Sequence, residues 1–251
     1  MGISGMRGAI AALFLLLIFR PKRWQMNRYM IGGALAYALC ITSFVLATKW
    51  TNAANAILLQ YTAPVHVAFF AYWFLGEKPC NIDWIAIAMV LAGMVLFFSE
   101  DLSLSGLWGN VAGLISGVGF AWIALLLRKQ KDADPVQSVI LGNLLAAVVG
   151  MPFMFGKAPT AMGWIGLVLL GLVQIGLGYA LFSIAIRYVT AIEALLISTL
   201  EPILNPVWVF LLLGERPGDL AIIGGCTIIA AILLRSLGPW LGRNGMRKKR
   251  S

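Results

Sequence analysis

The chain has 251 residues, of which 61% are hydrophobic and only 12% charged, and its mean hydropathy is +0.89. This composition excludes an ordinary soluble domain and indicates an all-α integral membrane protein. The net charge of +9 does not indicate nucleic-acid binding, because the basic residues lie at the ends of apolar runs rather than on one solvated surface.

Nine membrane-spanning helices are predicted in chain order. The first is the shortest, because its apolar part begins only after Arg7. Arg7 lies near the beginning of this span, and we count it with the preceding loop. It imitates a secretory signal but ends in RPKRW rather than at a small-residue cleavage site, so we interpret it as a spanning helix. The predicted helices cover residues 6–20, 29–48, 52–75, 82–99, 106–128, 136–155, 163–186, 190–213 and 219–237.

The loops predict the orientation. Of the 19 lysines and arginines, 15 fall in the loops of one side together with the C-terminal tail, which reads RNGMRKKRS. The other side holds only Arg7, Lys49, Lys157 and Arg216. Positively charged loops stay in the cytoplasm, so we expect a cytoplasmic C-terminus in a bacterial cytoplasmic membrane.

The chain contains an internal repeat. Residues 75–79 read LGEKP and residues 213–217 read LGERP, 138 residues further on. This offset pairs the second to fourth helices with the seventh to ninth. Since five spans separate each helix from its copy, the copies cross the membrane in opposite directions. The sequence therefore predicts a first repeat of four helices at 1–99, a second of five helices at 106–237, and a basic tail at 238–251.

The fifth helix has no partner under this offset, because its copy would lie before Met1. We expect that an ancestral first helix is absent, through a late-called start codon, a fragment or a genuine nine-helix form.

At this point the residues resemble a known family. ANAILLQYTAPVHVAFFAYWFLGEKP, which ends at Pro79, and IEALLISTLEPILNPVWVFLLLGERP, which ends at Pro217, are similar to the paired signatures of EamA-type permeases in the drug/metabolite transporter superfamily. The resemblance covers residues 3–237. It implies a carrier of ten helices, here without the first, that switches between inward and outward states and often exports amino acids or other small metabolites. It does not fix the substrate.

Glu201 is the main candidate for a transport site, because it lies near the middle of its predicted span, where a charged group is costly. Helical spacing places it on one face with Ala194, Ser198, Asn205 and Trp208. Pro202 and Pro206 remove the hydrogen bonds to the carbonyls of Ser198 and Pro202. Glu201 either binds a cationic part of the substrate or carries a proton, or it is a protonated structural hydrogen-bonding group.

Other polar residues are weaker candidates. Pro64 frees the carbonyl of Gln60 in the third helix, where His66 is the sole histidine and suits either proton coupling or neutral packing. Gln174 and Tyr179 in the seventh helix, like Asn143 in the sixth, either line a cavity or bridge helices. The predicted path or coupling residues are Glu201, Ser198, Asn205, His66, Gln60, Gln174 and Tyr179, with helix breaks at Pro64, Pro202 and Pro206.

Several motifs are interpreted structurally. Glu77 and Glu215 stand at helix ends, where we expect them to stabilise the turns. The glycines at 109, 113 and 117 permit close helix packing, within the bundle or in a homodimer. The spacing of Cys40, Cys80 and Cys226 indicates neither a disulfide nor a metal site, and we predict no cofactor and no catalytic residue.

Three functions remain open. A secondary carrier for a small polar or amphipathic molecule fits inverted repeats and proline-broken helices. A non-transporting accessory subunit is the second possible function. An intramembrane enzyme is the third, although the sequence lacks an HExxH motif or paired acids with histidine.

Overall fold

The computed structural model describes residues 1–21, 23–103, 105–154, 159–214 and 216–248, with only the backbone for 212–213 and 238–248. Within these ranges every regular element is helical. Eight helical segments are long and apolar enough to cross a membrane, and a ninth apolar helix, Asn81–Phe97, is shorter. The predicted all-helical membrane fold is confirmed.

The described part of the chain contains twelve α-helices because three predicted spans are interrupted. A 3-10 turn, Met151–Phe153, extends the sixth span. A π-helical segment, Leu170–Leu177, joins the two α-helices of the seventh. The helices are α1 Gly2–Phe19, α2 Arg28–Trp50, α3 Ala53–Gln60, α4 Ala63–Leu75, α5 Asn81–Phe97, α6 Leu107–Lys129, α7 Val136–Gly150, α8 Ala161–Leu169, α9 Gly178–Ala185, α10 Ala191–Ser198, α11 Leu200–Leu213 and α12 Asp219–Lys248.

Proline causes the breaks in the third and eighth spans. Helix α3 ends at Gln60 and α10 ends at Ser198, each four residues before a proline. Proline has no N–H to bond the carbonyl four residues earlier, so the helix ends at that carbonyl and restarts in a new direction. Ala194 is buried in α10, whereas Trp208 is exposed on α11, beyond the break. The shared face from Ala194 to Trp208 stays a prediction.

The helix bounds follow the sequence offset. Shifting the bounds of α3 by 138 residues gives those of α10. Gly76 and Gly214 follow α4 and α11 with φ of 76° and 75°. This left-handed conformation ends a helix readily only at a residue without a side chain. The bounds agree with a duplicated segment, while the grouping into two repeats stays a prediction.

Helix α2 packs against both α6 and α7. Helices α3 and α4 pack on α6, α1 packs on α7 and the π-helical segment, and α5 packs on α12. A Cβ atom at Gly109 would lie 2.5 Å from the Thr51 backbone nitrogen, and one at Gly117 would lie 2.7 Å from the Leu59 carbonyl oxygen. The glycine stripe therefore packs inside the bundle, where it lets two backbones approach closely.

Two details of the prediction were wrong. Arg7 does not belong to a loop, because α1 already begins at Gly2. The shortest uninterrupted span is α5 with 17 residues rather than α1 with 18. The predicted ninth span at 219–237 agrees with the apolar segment Asp219–Leu237, and helix α12 continues beyond it to Lys248. Glu215, Lys157 and the predicted end of the sixth helix at residue 155 lie outside the described residues.

Helix α11 stands at the edge of the bundle. Ile203 is buried at 7% exposure, but Leu204, Trp208 and Leu211 are 46%, 57% and 63% exposed. The helix packs mainly against α10 and α12. Its beginning carries Glu201, whose side chain is exposed.

Candidate functional site

Arg7 lies one and a half turns into α1 and reaches across to the π-helical segment. Its Nη1 atom donates a hydrogen bond to Gln174 Oε1 at 3.2 Å. The two elements approach closely at Gly171, where a Cβ atom would lie 2.7 Å from Ile10 Cγ2 and 3.1 Å from the Arg7 carbonyl oxygen. Single turns of π-helix often occur at functional sites, and this one carries Gln174. The arginine is thus held inside an apolar span by an amide on a different span.

Glu201 is the charged residue at the break in the eighth span. It is the second residue of α11, directly after the break, and the electrostatic influence of Arg7 and Gln174 reaches its carboxylate. Its side chain is exposed. Within the described residues, no nitrogen of Arg7 comes within 4.0 Å of a carboxylate oxygen. Arg7 and Glu201 therefore do not form an ion pair with each other. We call Arg7, Gln174 and Glu201 the charged cluster.

Tyr37 joins α2 to α9 and α7. The Tyr37 ring meets the Tyr179 ring edge-on at a centroid distance of 4.8 Å, and the buried Tyr37 hydroxyl donates to Asn143 Oδ1 at 3.0 Å. Tyr179 therefore packs on Tyr37 of α2, while Asn143 bridges α7 to α2.

Ser198 contributes its backbone rather than its side chain. Its hydroxyl donates to the Ala194 carbonyl of its own helix at 2.9 Å. Its carbonyl oxygen, left without a helical partner by Pro202, accepts a hydrogen bond from the Tyr61 hydroxyl at 3.0 Å. The buried Tyr61 thus ties the break in the eighth span to the break in the third.

The structure does not bring the remaining candidates into the charged cluster. Gln60 Nε2 donates to Ser116 Oγ at 2.9 Å, which joins α3 to α6. His66 is half-buried, and its Nε2 atom lies 3.4 Å from Oγ1 of Thr62, one turn earlier on the same span. Asn205 is exposed one turn beyond Glu201 on α11.

A second polar cluster closes one end of the bundle. Arg128 Nε pairs with Glu77 Oε1 at 2.7 Å, and its Nη1 donates to the carbonyls of Ile186 and Arg187 at 3.0 and 2.7 Å. Glu77 Oε2 accepts the N–H of Ala191 at 3.1 Å. Nearby, Asp83 of α5 forms an ion pair with Arg235 of α12. Glu77 thus does more than stabilise its own turn, because it connects the ends of α4, α6 and α10.

Sequence reasoning missed Arg7 as a site residue. An arginine inside a membrane helix is a functional candidate by default, but the apolar run was taken to begin after it. The π-helical segment has no comparable sequence signal, so the sequence did not predict the contact between Gln174 and Arg7.

Comparison with known proteins decides the family. Residues 1–99 and 107–237 match the EamA-like transporter family. The chain belongs to this family. An EamA-like transporter is an integral membrane protein, which agrees with the helical spans and with the resemblance drawn from the two LGE-containing segments.

Named relatives of this EamA-like transporter include exporters. The threonine/homoserine exporter RhtA of Salmonella typhimurium is 27% identical over 92% of this chain and 79% of its own length. The pseudopaline exporter CntI of Pseudomonas aeruginosa is 25% identical over 92% of this chain and 84% of its own length. An uncharacterized transporter of Archaeoglobus fulgidus is 26% identical over 83% of this chain and 76% of its own length.

A solved crystal structure supports the fold. It superposes with a TM-score of 0.79 at 18% identity and covers 94% of this chain and 86% of the solved one. The predicted transporter function is confirmed by the family and the relatives together.

Proposed function

We propose that this transporter is an alternating-access exporter of a small metabolite, with a path between α1, the π-helical segment and the beginning of α11. The observation that carries the proposal is the charged cluster, Arg7 with Gln174 and Glu201, inside otherwise apolar spans. Charged groups at membrane depth are costly unless they serve a pathway or are paired. Charged and polar residues beside broken helices are typical of carrier binding sites.

The division into two inverted repeats, 1–99 and 106–237, is part of the proposal. The common offset of the two helix breaks supports it. Such repeats rock against one another around a site near the membrane middle, which gives access from each side in turn. We place the C-terminal tail in the cytoplasm because of the bias of lysine and arginine among the loops.

The cluster also supports transport rather than catalysis. Arg7, Gln174 and Glu201 bind a solute through charge and hydrogen bonds. An enzyme site would need a nucleophile or acid–base pair aimed at a reacting atom, and the cluster as described provides no such pair. We propose that the chain has no nucleic-acid partner and that its partners are a small molecule and the bilayer.

The other predicted site residues take secondary roles. We propose that Asn205 and Tyr179 line the path beside Glu201, and that Ser198 shapes the break that positions it. Gln60 and His66 lie in the third span, which is the other span broken by a proline. Gln60 joins α3 to α6, and we propose His66 as the residue to substitute in a test of proton coupling.

Transport by a neutralised variant tests the site. Purified protein in liposomes is assayed for uptake of radiolabelled threonine and homoserine, the solutes named for one relative. Glu201→Gln removes the charge and keeps the shape, so we expect the initial rate to fall by about tenfold or more.

Glu193→Gln is the matched control, because Glu193 lies in the first turn of α10 on the same span, away from the charged cluster. We expect it to retain the wild-type rate. Equal rates for Glu201→Gln and wild type would remove Glu201 from the path.

A further inference from the structure

Two cations from different spans lie over a pair of touching aromatic rings at one end of the bundle. Arg28 begins α2, and its guanidinium carbon lies 4.9 Å from the centroid of the Tyr29 ring. Lys129 ends α6, and its Nζ lies 5.6 Å from the centroid of the Phe74 ring, near the end of α4. The two rings meet edge-on at a centroid distance of 6.1 Å. We call Arg28, Tyr29, Phe74 and Lys129 the interface patch.

No acidic side chain in the described part of the chain neutralises the interface patch. Arg28 and Lys129 are exposed, and none of their nitrogens lies within 4.0 Å of a carboxylate oxygen there. Glu77, three residues after Phe74, already bonds to Arg128 and to the N–H of Ala191. Like charges that are held on one pair of rings repel each other unless an anion joins them. The interface patch is therefore suited to an anionic group.

Both cations are fixed in place and keep free donors. Lys129 Nζ donates to the Phe74 carbonyl at 3.0 Å, and Arg28 Nη2 donates to the Tyr29 hydroxyl at 2.9 Å. An ammonium group has three N–H donors and a guanidinium group has five, so each cation retains donors after this contact. Phosphate oxygens accept short, charge-assisted hydrogen bonds from such groups.

An apolar aromatic surface continues from the interface patch toward the middle of the span. The Phe74 ring meets Trp122 at a centroid distance of 5.4 Å, and Trp122 meets Phe70 at 5.6 Å. Phe70 lies one helical turn before Phe74 on α4, and Trp73 packs beside it at 6.5 Å. Phe70 is 37% exposed and Trp73 is 77% exposed. A cationic end joined to an exposed apolar surface matches a molecule with an anionic head and a hydrocarbon chain.

We propose that the interface patch binds the headgroup phosphate of an anionic phospholipid. Arg28 and Lys129 hold the phosphate, and Phe70 and Trp73 lie against an acyl chain. Basic sites between membrane helices bind anionic headgroups, and aromatic side chains are enriched at the same depth of the bilayer. A free phosphate would use the two cations alone, whereas the adjoining aromatic surface favours a lipid. The proposal goes beyond the transport function and does not rest on it, because the charged cluster lies on other helices.

Native mass spectrometry of the purified protein in detergent tests the proposal. Dioleoyl phosphatidylglycerol and dioleoyl phosphatidylcholine have the same chains, but only the first has a net negative charge. We expect wild type to bind one molecule of the first about tenfold or more tightly than the second. The double variant Arg28→Gln with Lys129→Gln should lose this preference, and Arg28→Lys with Lys129→Arg should keep most of it.

Two further variants serve as controls. Arg20→Gln with Lys49→Gln removes the same charge from exposed positions outside the interface patch, with Lys49 at the other end of α2. It should keep the wild-type preference. Trp73→Ala removes an exposed ring from the apolar surface and should weaken the binding of both lipids to a similar extent.

Equal affinity of wild type for the two lipids would overturn the proposal. So would the same loss of preference in both glutamine double variants, since it would indicate attraction to overall charge. Glycerol phosphate carries the phosphate without chains, and its displacement of the lipid at equal concentration would show a site for free phosphate instead. The wild-type comparison and this competition need no variant, so they decide the proposal even if a double variant misfolds. Binding is measured without transport, so a negative result leaves the carrier function intact.

Discussion

A proline in a membrane helix leaves one carbonyl oxygen without its partner, and Tyr61 shows how this bundle supplies a new one. Pro202 deprives Ser198 of its helical hydrogen bond, and the Tyr61 hydroxyl replaces it from the third span. Satisfying such groups inside the protein is the condition for an irregular backbone at membrane depth.

Removing the Tyr61 hydroxyl tests this replacement. Tyr61→Phe leaves the ring in place and the Ser198 carbonyl without a donor, so we expect the free energy of unfolding to fall by about 0.5 to 1.5 kcal/mol. Unfolding in detergent by circular dichroism measures the change. Tyr188→Phe is the control, because Tyr188 is 81% exposed, and it should have no effect. An unchanged stability for Tyr61→Phe would show that the carbonyl does not need this bond.

Single residues were predicted with mixed success. Glu201 was recognisable because an acid in the middle of an apolar run is costly and therefore marks a pathway or a buried hydrogen bond. Arg7 was missed because a charge near the end of such a run is usually a topology marker. Whether Glu201 meets His66 or Gln174 depends on the packing of distant spans, which one sequence does not reveal.

At the scale of elements, the glycines of α6 decide how closely it packs on α3. Gly117 faces the Leu59 carbonyl at a distance that leaves no room for a methyl group. Gly166 of α8 has open space around its missing side chain, with no atom within 4 Å.

The same substitution should therefore give opposite results at these two glycines. Gly117→Ala should lower the free energy of unfolding by about 1 to 3 kcal/mol, because the backbone of α3 must move. Gly166→Ala should leave it unchanged or raise it by up to about 1 kcal/mol through helix propensity. Thermal unfolding of both variants in the same detergent checks this. A similar loss for both would contradict the close packing of α6 on α3.

The element breaks differ in how far sequence predicts them. Pro64 and Pro202 marked the breaks in the third and eighth spans, because proline acts locally. The π-helical segment of the seventh span has no such marker. It accompanies the close contact of Gly171 and Gly176 with α1, which is a tertiary effect.

At the scale of the whole molecule, the polar cluster of Glu77 and Arg128 holds one end of the bundle closed. The two side chains are only 22% and 14% exposed, so loss of one partner leaves a poorly hydrated charge. We expect Arg128→Gln to lower the free energy of unfolding by about 2 to 4 kcal/mol. The double variant that adds Glu77→Gln should regain part of the lost stability.

Arg187→Gln is the control for this end of the bundle. Arg187 pairs with Asp134 at 3.6 Å, and both side chains are about one-third exposed, so its loss should cost less than about 1 kcal/mol. Chemical denaturation of the wild type and the three variants in one detergent provides the comparison. Equal effects of Arg128→Gln and Arg187→Gln would show that the buried pair does not hold the end closed.

Counterflow tests the carrier claim most directly. Liposomes containing the wild-type protein are loaded with unlabelled threonine and diluted into a trace of labelled threonine. A carrier that exposes its site to one side at a time exchanges the two, so we predict a transient accumulation of label above its equilibrium level. Alternating access would be contradicted if the label rose only to its equilibrium level, without this overshoot, and entered liposomes without the protein at the same rate.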